Sequence, residues 1–115
     1  MRVINVPQNT VPVRYEDQQP AVTKDENYFW FTLKAVLRAA LARMSGVDLL
    51  GVSELYKEIT NQVGRPELRI ERECDWEKLK TWVENHRGWP GDPEDAVSML
   101  GAVRNAEKQK AGKRA

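Results

Sequence analysis

Apolar residues fall three and four apart over one long stretch of this chain. Phe29, Leu33, Val36, Leu37, Ala40, Leu41 and Met44 form a single stripe, with Arg38 and Arg43 off it, the mark of an amphipathic helix. Thr23-Lys24-Asp25-Glu26 ahead of the stripe has the form of a capping box, the threonine accepting from the first turn and the glutamate reaching back. Ser45-Gly46 supplies the stop, with glycine able to take the left-handed cap. Together these signals predict a helix over 24–44.

Three further helices follow from the same pattern. Residues 47–52 read as a short apolar connector. Ser53 is a good N-cap for a helix over 54–63 with Leu55, Ile59 and Val63 inward, closed by Gly64. Asp75 caps a third over 76–87, with Trp76, Leu79, Trp82, Val83 and His86 on one side and Gly88 as terminator. The last, over 93–109, opens on Asp92-Pro93-Glu94-Asp95: a cap, proline at the first helical position, then acids. It carries Ala96, Met99, Leu100, Val103 and Ala106 inward.

Strand signals are shorter. Glu67 to Cys74 alternates, with Leu68, Ile70 and Cys74 facing inward until Arg72 breaks the series, which predicts a half-exposed strand over 67–73. Val3, Val6, Val11 and Val13 favour extended backbone, but Pro7 and Pro12 cannot donate to a ladder, so residues 1–15 read as a loose strand or an arm lying across a surface. The expected architecture is mainly α within the α+β class: four helices, a β element of one to three strands and an extended N-terminal arm. The expected organisation is an arm and linker over 1–22, a helical domain over 23–107 and a basic tail over 108–115.

Charge narrows the choice of partners. The chain has 115 residues, enough for one domain, and 18 Lys and Arg against 17 Asp and Glu, a balance that gives no long-range attraction to nucleic acid or an anionic membrane. The balance is uneven along the chain: Arg104, Lys108, Lys110, Lys113 and Arg114 face a single acid, Glu107, so a mildly acidic body carries a basic tail. No apolar run is long enough to span a bilayer, and none near the start has the form of a signal peptide. Cys74 is the single cysteine, so no internal disulfide forms.

Candidate chemistry is thin. Gly51-Val52-Ser53 followed by Leu55-Tyr56-Lys57-Glu58-Ile59 resembles the turn and recognition helix of a helix-turn-helix. Yet the serine stands too close to the leucine–tyrosine pair, and Lys57 is the lone cation against Asp48, Glu54 and Glu58, the wrong sign for phosphate contact. Cys74 and His86 stand twelve positions apart with no third soft ligand, where zinc wants four ligands in recognisable pairs. The same two have no orienting third residue that would make them nucleophile and base. The paired carboxylates (Glu71 and Glu73, Asp92 and Glu94) suit a solvated strand face and a helix start, and the glycines form no phosphate loop. No catalytic residue, metal site or cofactor is expected.

The aromatics say more. Tyr28-Phe29-Trp30-Phe31 cannot all face one core, because four consecutive helical residues spread around about 300°. Trp30 and Phe31 are therefore candidates to meet something beyond the stripe, as is Trp89 in its Pro-Gly turn and Tyr15 at the end of the arm. Core packing is the commoner fate of such rings. The arm is expected to cover these aromatics or a neighbouring subunit.

The layout resembles small accessory proteins of tailed-bacteriophage morphogenesis modules. The resemblance rests on the extended start, on Phe31-Thr32-Leu33 with Leu37, on Glu54-Leu55-Tyr56, on Cys74-Asp75-Trp76-Glu77-Lys78-Leu79, and on Ala102-Val103-Arg104-Asn105-Ala106. It implies a non-enzymatic protein that works by contact or self-association, as an assembly chaperone or structural component, in the bacterial cytoplasm or within a virion. A small transcription regulator binding DNA or RNA polymerase is the alternative.

Overall fold

The computed structural model describes residues 1–108. Along them run β1 (Arg2–Asn5), β2 (Thr10–Tyr15), β3 (Val22–Asn27), α1 (Tyr28–Leu41), α2 (Gly46–Thr60), β4 (Glu67–Ile70), α3 (Glu73–Asn85), α4 (Pro93–Arg104) and β5 (Glu107–Lys108). The four expected helices are present, but the class is mixed α+β, because most of what was read as an arm forms the strands β1 and β2, and the stretch read as a capping box forms β3. Most of the expected basic tail, 109–115, lies outside the described residues.

β1 is a central strand. The first sheet is antiparallel in the order β4-β1-β5, with Arg2 opposite Ile70 and Asn5 opposite Glu67 on one side. On the other side Arg2 lies opposite Lys108 and Val3 opposite Glu107. Successive strand residues point to opposite faces, and Val3 and Ile4 are both buried, so both faces of β1 are covered. The expected arm fails because the prolines lie outside this strand. Pro7 follows it, and Pro12 sits in β2, which pairs only with β3 in a two-stranded ribbon running from Thr10 opposite Asn27 to Tyr15 opposite Val22. A ribbon strand has a free edge, where a residue without an N–H is tolerated.

The same ribbon overturns the capping box. Thr23 to Glu26 are strand, and Asn27 caps α1 instead: its Oδ1 accepts from the Trp30 amide at 3.0 Å while its Nδ2 donates to the Pro7 carbonyl at 3.0 Å. Glu26 is occupied elsewhere, accepting the Tyr15 hydroxyl at 2.7 Å. The 47–52 connector is also corrected. It is the first half of α2, whose N-cap is Ser45, its Oγ accepting from the Asp48 amide at 3.2 Å. Ser45-x-x-Asp48 is the capping signal that holds here.

β4 stops at Ile70, three residues short of expectation, and Cys74 is exposed in the first turn of α3 rather than buried at a strand end. Arg72 is the N-cap residue of α3, and the buried Asp75 accepts its guanidinium at 3.0 and 3.2 Å. α4 begins as expected on Asp92 and Pro93 but ends at Arg104, so the chain can return to β1. Arg2 locks that return: it pairs with both oxygens of Glu73 at 2.9 and 2.7 Å, donates to the Ala106 carbonyl at 3.0 Å and lies 3.9 Å from the centre of the Trp76 ring. Trp76 in turn donates Nε1–H to the Val103 carbonyl at 3.0 Å.

α1 is the hub of the core, burying Phe29, Leu33, Val36 and Leu37 among Leu79, Val83, Met99 and Val103. It rests on α3 and α4, whereas α2 rests on β4. That division of supports sets the two consecutive helices apart and shapes the site.

Candidate docking groove between two splayed helices

The sequence of α1 carries leucines at four-residue intervals, Leu33, Leu37 and Leu41, so they share one face. Leu33 and Leu37 are buried and form the floor of a groove whose α1 wall continues to Ala42 and whose closed end is Trp30. On α2 the pattern is a heptad one. Val52, Leu55 and Ile59 face the interior and are buried, while Leu49 and Tyr56 stand one step round the helix, followed by Val63 in the turn beyond it. These three remain 40%, 44% and 41% exposed, and they face the leucines of α1 across a trough of about 760 Å³. Lys34 and Arg38 form the rim on the α1 side and Thr60 lines the α2 side.

The groove exists because α2 cannot satisfy both of its apolar faces from within the chain. Its buried face is taken by β4 and the core, and nothing among the described residues covers the second. Val47 and Leu50, 79% and 77% exposed, extend the apolar character of the first turns of α2 around its outer side.

The residues singled out from sequence are not brought together. Trp30 is buried rather than surface-facing, stacks edge-on with Phe29 at 5.2 Å, and donates Nε1–H to the Arg65 carbonyl at 3.0 Å. It touches the groove only as its end wall. Phe31 is half-buried against the core. Trp89 is half-buried, its Nε1–H donated to the His86 carbonyl at 3.0 Å and its ring edge-on to the His86 imidazole. Tyr15 is held in the ribbon by Glu26, a hydrogen bond that raises its phenol above the ordinary value. The turn holding Trp89 is pinned from two sides: Tyr28 Oη–H donates to the Pro90 carbonyl at 2.7 Å and Asn9 Nδ2 to Asp95 at 2.7 Å. Between them Gly91 takes φ of 67°, and a Cβ there would lie 3.2 Å from both Asp95 Oδ2 and the Tyr28 ring.

Sequence reasoning missed the groove because it assigned Leu49 to a connector. The signal was available: Leu49, Val52, Tyr56, Ile59 and Val63 repeat at three and four once the helix starts at Gly46.

A second cleft of about 660 Å³ separates the end of α1 from the end of α3, lined by Val36, Arg43, Trp82, His86 and Arg87. The Nε2 atom of His86 is buried without a hydrogen-bond partner among the described residues, and burial lowers the imidazole below its ordinary value of 6.5. Cys74 and His86 lie at opposite ends of α3, about 18 Å apart at the helical rise, too far to act on one atom. Among the described residues no three His, Cys, Asp or Glu side chains converge to hold a metal ion, and no helix is long and apolar enough to cross a membrane. The supposed turn of the helix-turn-helix, Gly51-Val52-Ser53, is interior to α2, so that motif is not formed. No protein-family model matches the chain, and neither does a curated protein or a solved structure.

Proposed function

We propose that this chain is a non-enzymatic protein-interaction domain and that the α1–α2 groove is its working surface. The observation that carries the reading is the row Leu49, Tyr56, Val63, left in water opposite a floor of leucines. Apolar area is worth roughly 25 cal/mol per Å² when removed from water, so a groove lined this way gains most from a partner that fills it with apolar side chains. Grooves between helices take amphipathic helices in this manner, through anchors one turn apart. The setting we propose, assembly of a phage or prophage particle, rests on the resemblance of the sequence to morphogenesis accessory proteins.

The test is to pan a displayed library of amphipathic helical peptides against the folded protein. Binders are expected to lose affinity at least tenfold for Tyr56→Glu, a half-exposed site whose change leaves the core alone, and to keep it for Trp89→Ala. Recovery of no binder that depends on Tyr56 overturns the groove as the working surface.

A further inference from the structure

The rim of the groove carries information that its floor does not. α1 and the turn after it contain Lys34, Arg38 and Arg43 and no acid from Tyr28 to Arg43. Lys34 and Arg38 lie one turn apart, both line the groove and both are exposed. Neither is ion-paired among the described residues, where the pairs are Arg2–Glu73, Arg14–Glu16, Arg69–Glu67, Arg72–Asp75 and Arg104–Glu84. The acids of α2 do not pair with them. Asp48, in the first turn, is in none of these ion pairs and does not line the groove. Glu54 and Glu58 line a separate cleft, where Glu58 accepts the Glu71 amide at 3.1 Å. The result is an apolar trough with two unmatched positive charges along one lip.

We infer that the occupant of the groove is an acidic amphipathic helix of a partner protein, with carboxylates at i and i+4 set against Lys34 and Arg38. This rests on the groove being a docking surface. Along α1 the lining runs from Trp30 to Ala42, which at the helical rise is about 18 Å, or about 12 residues of a bound helix. Leucines a turn apart on the floor call for apolar anchors at i, i+3 or i+4 and i+7 on the occupant. Charge complementarity fixes its sign and the side on which its acids lie. The chain's own terminal segment is unsuited to the role, since Lys110, Lys113 and Arg114 carry the same sign as the rim.

The experiment compares three designed helical peptides of about 14 residues, alike in their leucine stripe and carrying Glu, Gln or Lys at the two flanking positions. Titration against the full chain is followed by fluorescence anisotropy. The Glu peptide is expected to bind about three- to tenfold more tightly than the Gln peptide, the range for two exposed charge pairs. The advantage should shrink on raising the salt. In Lys34→Glu/Arg38→Glu, both changes at exposed positions, the order should reverse so that the Lys peptide binds best. Equal affinities for the three peptides, all lost in Tyr56→Glu, would overturn the acidic partner while leaving the groove as a docking site. Failure of every peptide to bind would remove both. Sedimentation of the chain as a dimer that Tyr56→Glu dissociates would give the groove to a second copy, and displacement of the peptide by oleate at lower concentration would give it to an anionic amphiphile. Either result overturns the inference.

Discussion

Replacing Trp30 by alanine tests the corrected reading of the aromatic run. The indole is 5% exposed, edge-on to Phe29, and its N–H satisfies the Arg65 carbonyl in the turn after α2. It therefore joins α1 to the α2–β4 connection as well as filling volume. Truncating a buried tryptophan costs about 3–5 kcal/mol. The site lies at the end of an open groove, so water can enter the space left behind, and the lower part of that range is expected. Against a total stability of about 5–15 kcal/mol for a domain of this kind, that is a loss of over ten degrees in Tm, at about 4–8 °C per kcal/mol for a small domain. Trp30→Phe keeps an aromatic ring in the core but loses the donor together with part of the buried ring. The carbonyl left short of a partner should cost about 1–3 kcal/mol, with the lost ring atoms adding to it. Urea denaturation followed by far-UV circular dichroism measures both, with an unchanged m value certifying that the unfolded state is the same. Trp89→Ala is the control: half-buried, its N–H bonded within its own turn, it should cost less than Trp30→Ala. A loss below about 1 kcal/mol for Trp30→Ala would mean that the ring does not pack as described.

Gly51 sits in the middle of α2 with nothing within 4 Å of where its Cβ would stand, so Gly51→Ala should raise stability by about 0.5–1 kcal/mol through helix propensity alone; a destabilised variant in the same urea titration would contradict the open surface there. His86 is the single histidine, and because burial lowers its folded value, its contribution is fully present above 6.5 and is lost as the pH falls through the lowered folded value; proton NMR of the imidazole should give a pKa below 6.5. Glu73 is held below its ordinary 4.5 chiefly by its hydrogen bonds to Arg2, so the Tm gap between the native chain and Arg2→Ala should be full at neutral pH and narrow as the pH falls below 4.5. A gap that stays constant down to the acid-unfolding limit would show that the Trp76 contact, not the ion pair, carries the effect of Arg2.

Helix interiors were legible from sequence because their apolar positions repeat over several turns: the Phe29–Leu37 stripe and the Asp92–Pro93 start both stand where the pattern puts them. Boundaries were less so. Ser53 and Thr23 are chemically sound caps, but Ser45 and Asn27 hold the positions, because the strands and turns before them fix where the backbone bends. β1 was hidden because Val3 and Ile4 are adjacent apolar residues rather than alternating ones, the pattern of a strand covered on both faces, and its partners lie far along the chain. The groove escaped with the boundary of α2: moving the helix start from Glu54 to Gly46 brings Leu49 into register with Tyr56 and Val63. The tryptophans misled because composition shows a large ring and not whether its N–H already has a carbonyl to meet.

The placement of β1 decides the order in which this molecule can be built. Its two neighbours are Glu67–Ile70 and Glu107–Lys108, so the sheet stays incomplete until distant stretches of chain have come back to it. Such non-local pairing sets a slow rate for folding, while the β2–β3 ribbon and α1, being local, can form early. The same topology turns the strand into a clamp once it is in place. Its amides should be among the last to exchange with solvent, opening only with the whole structure.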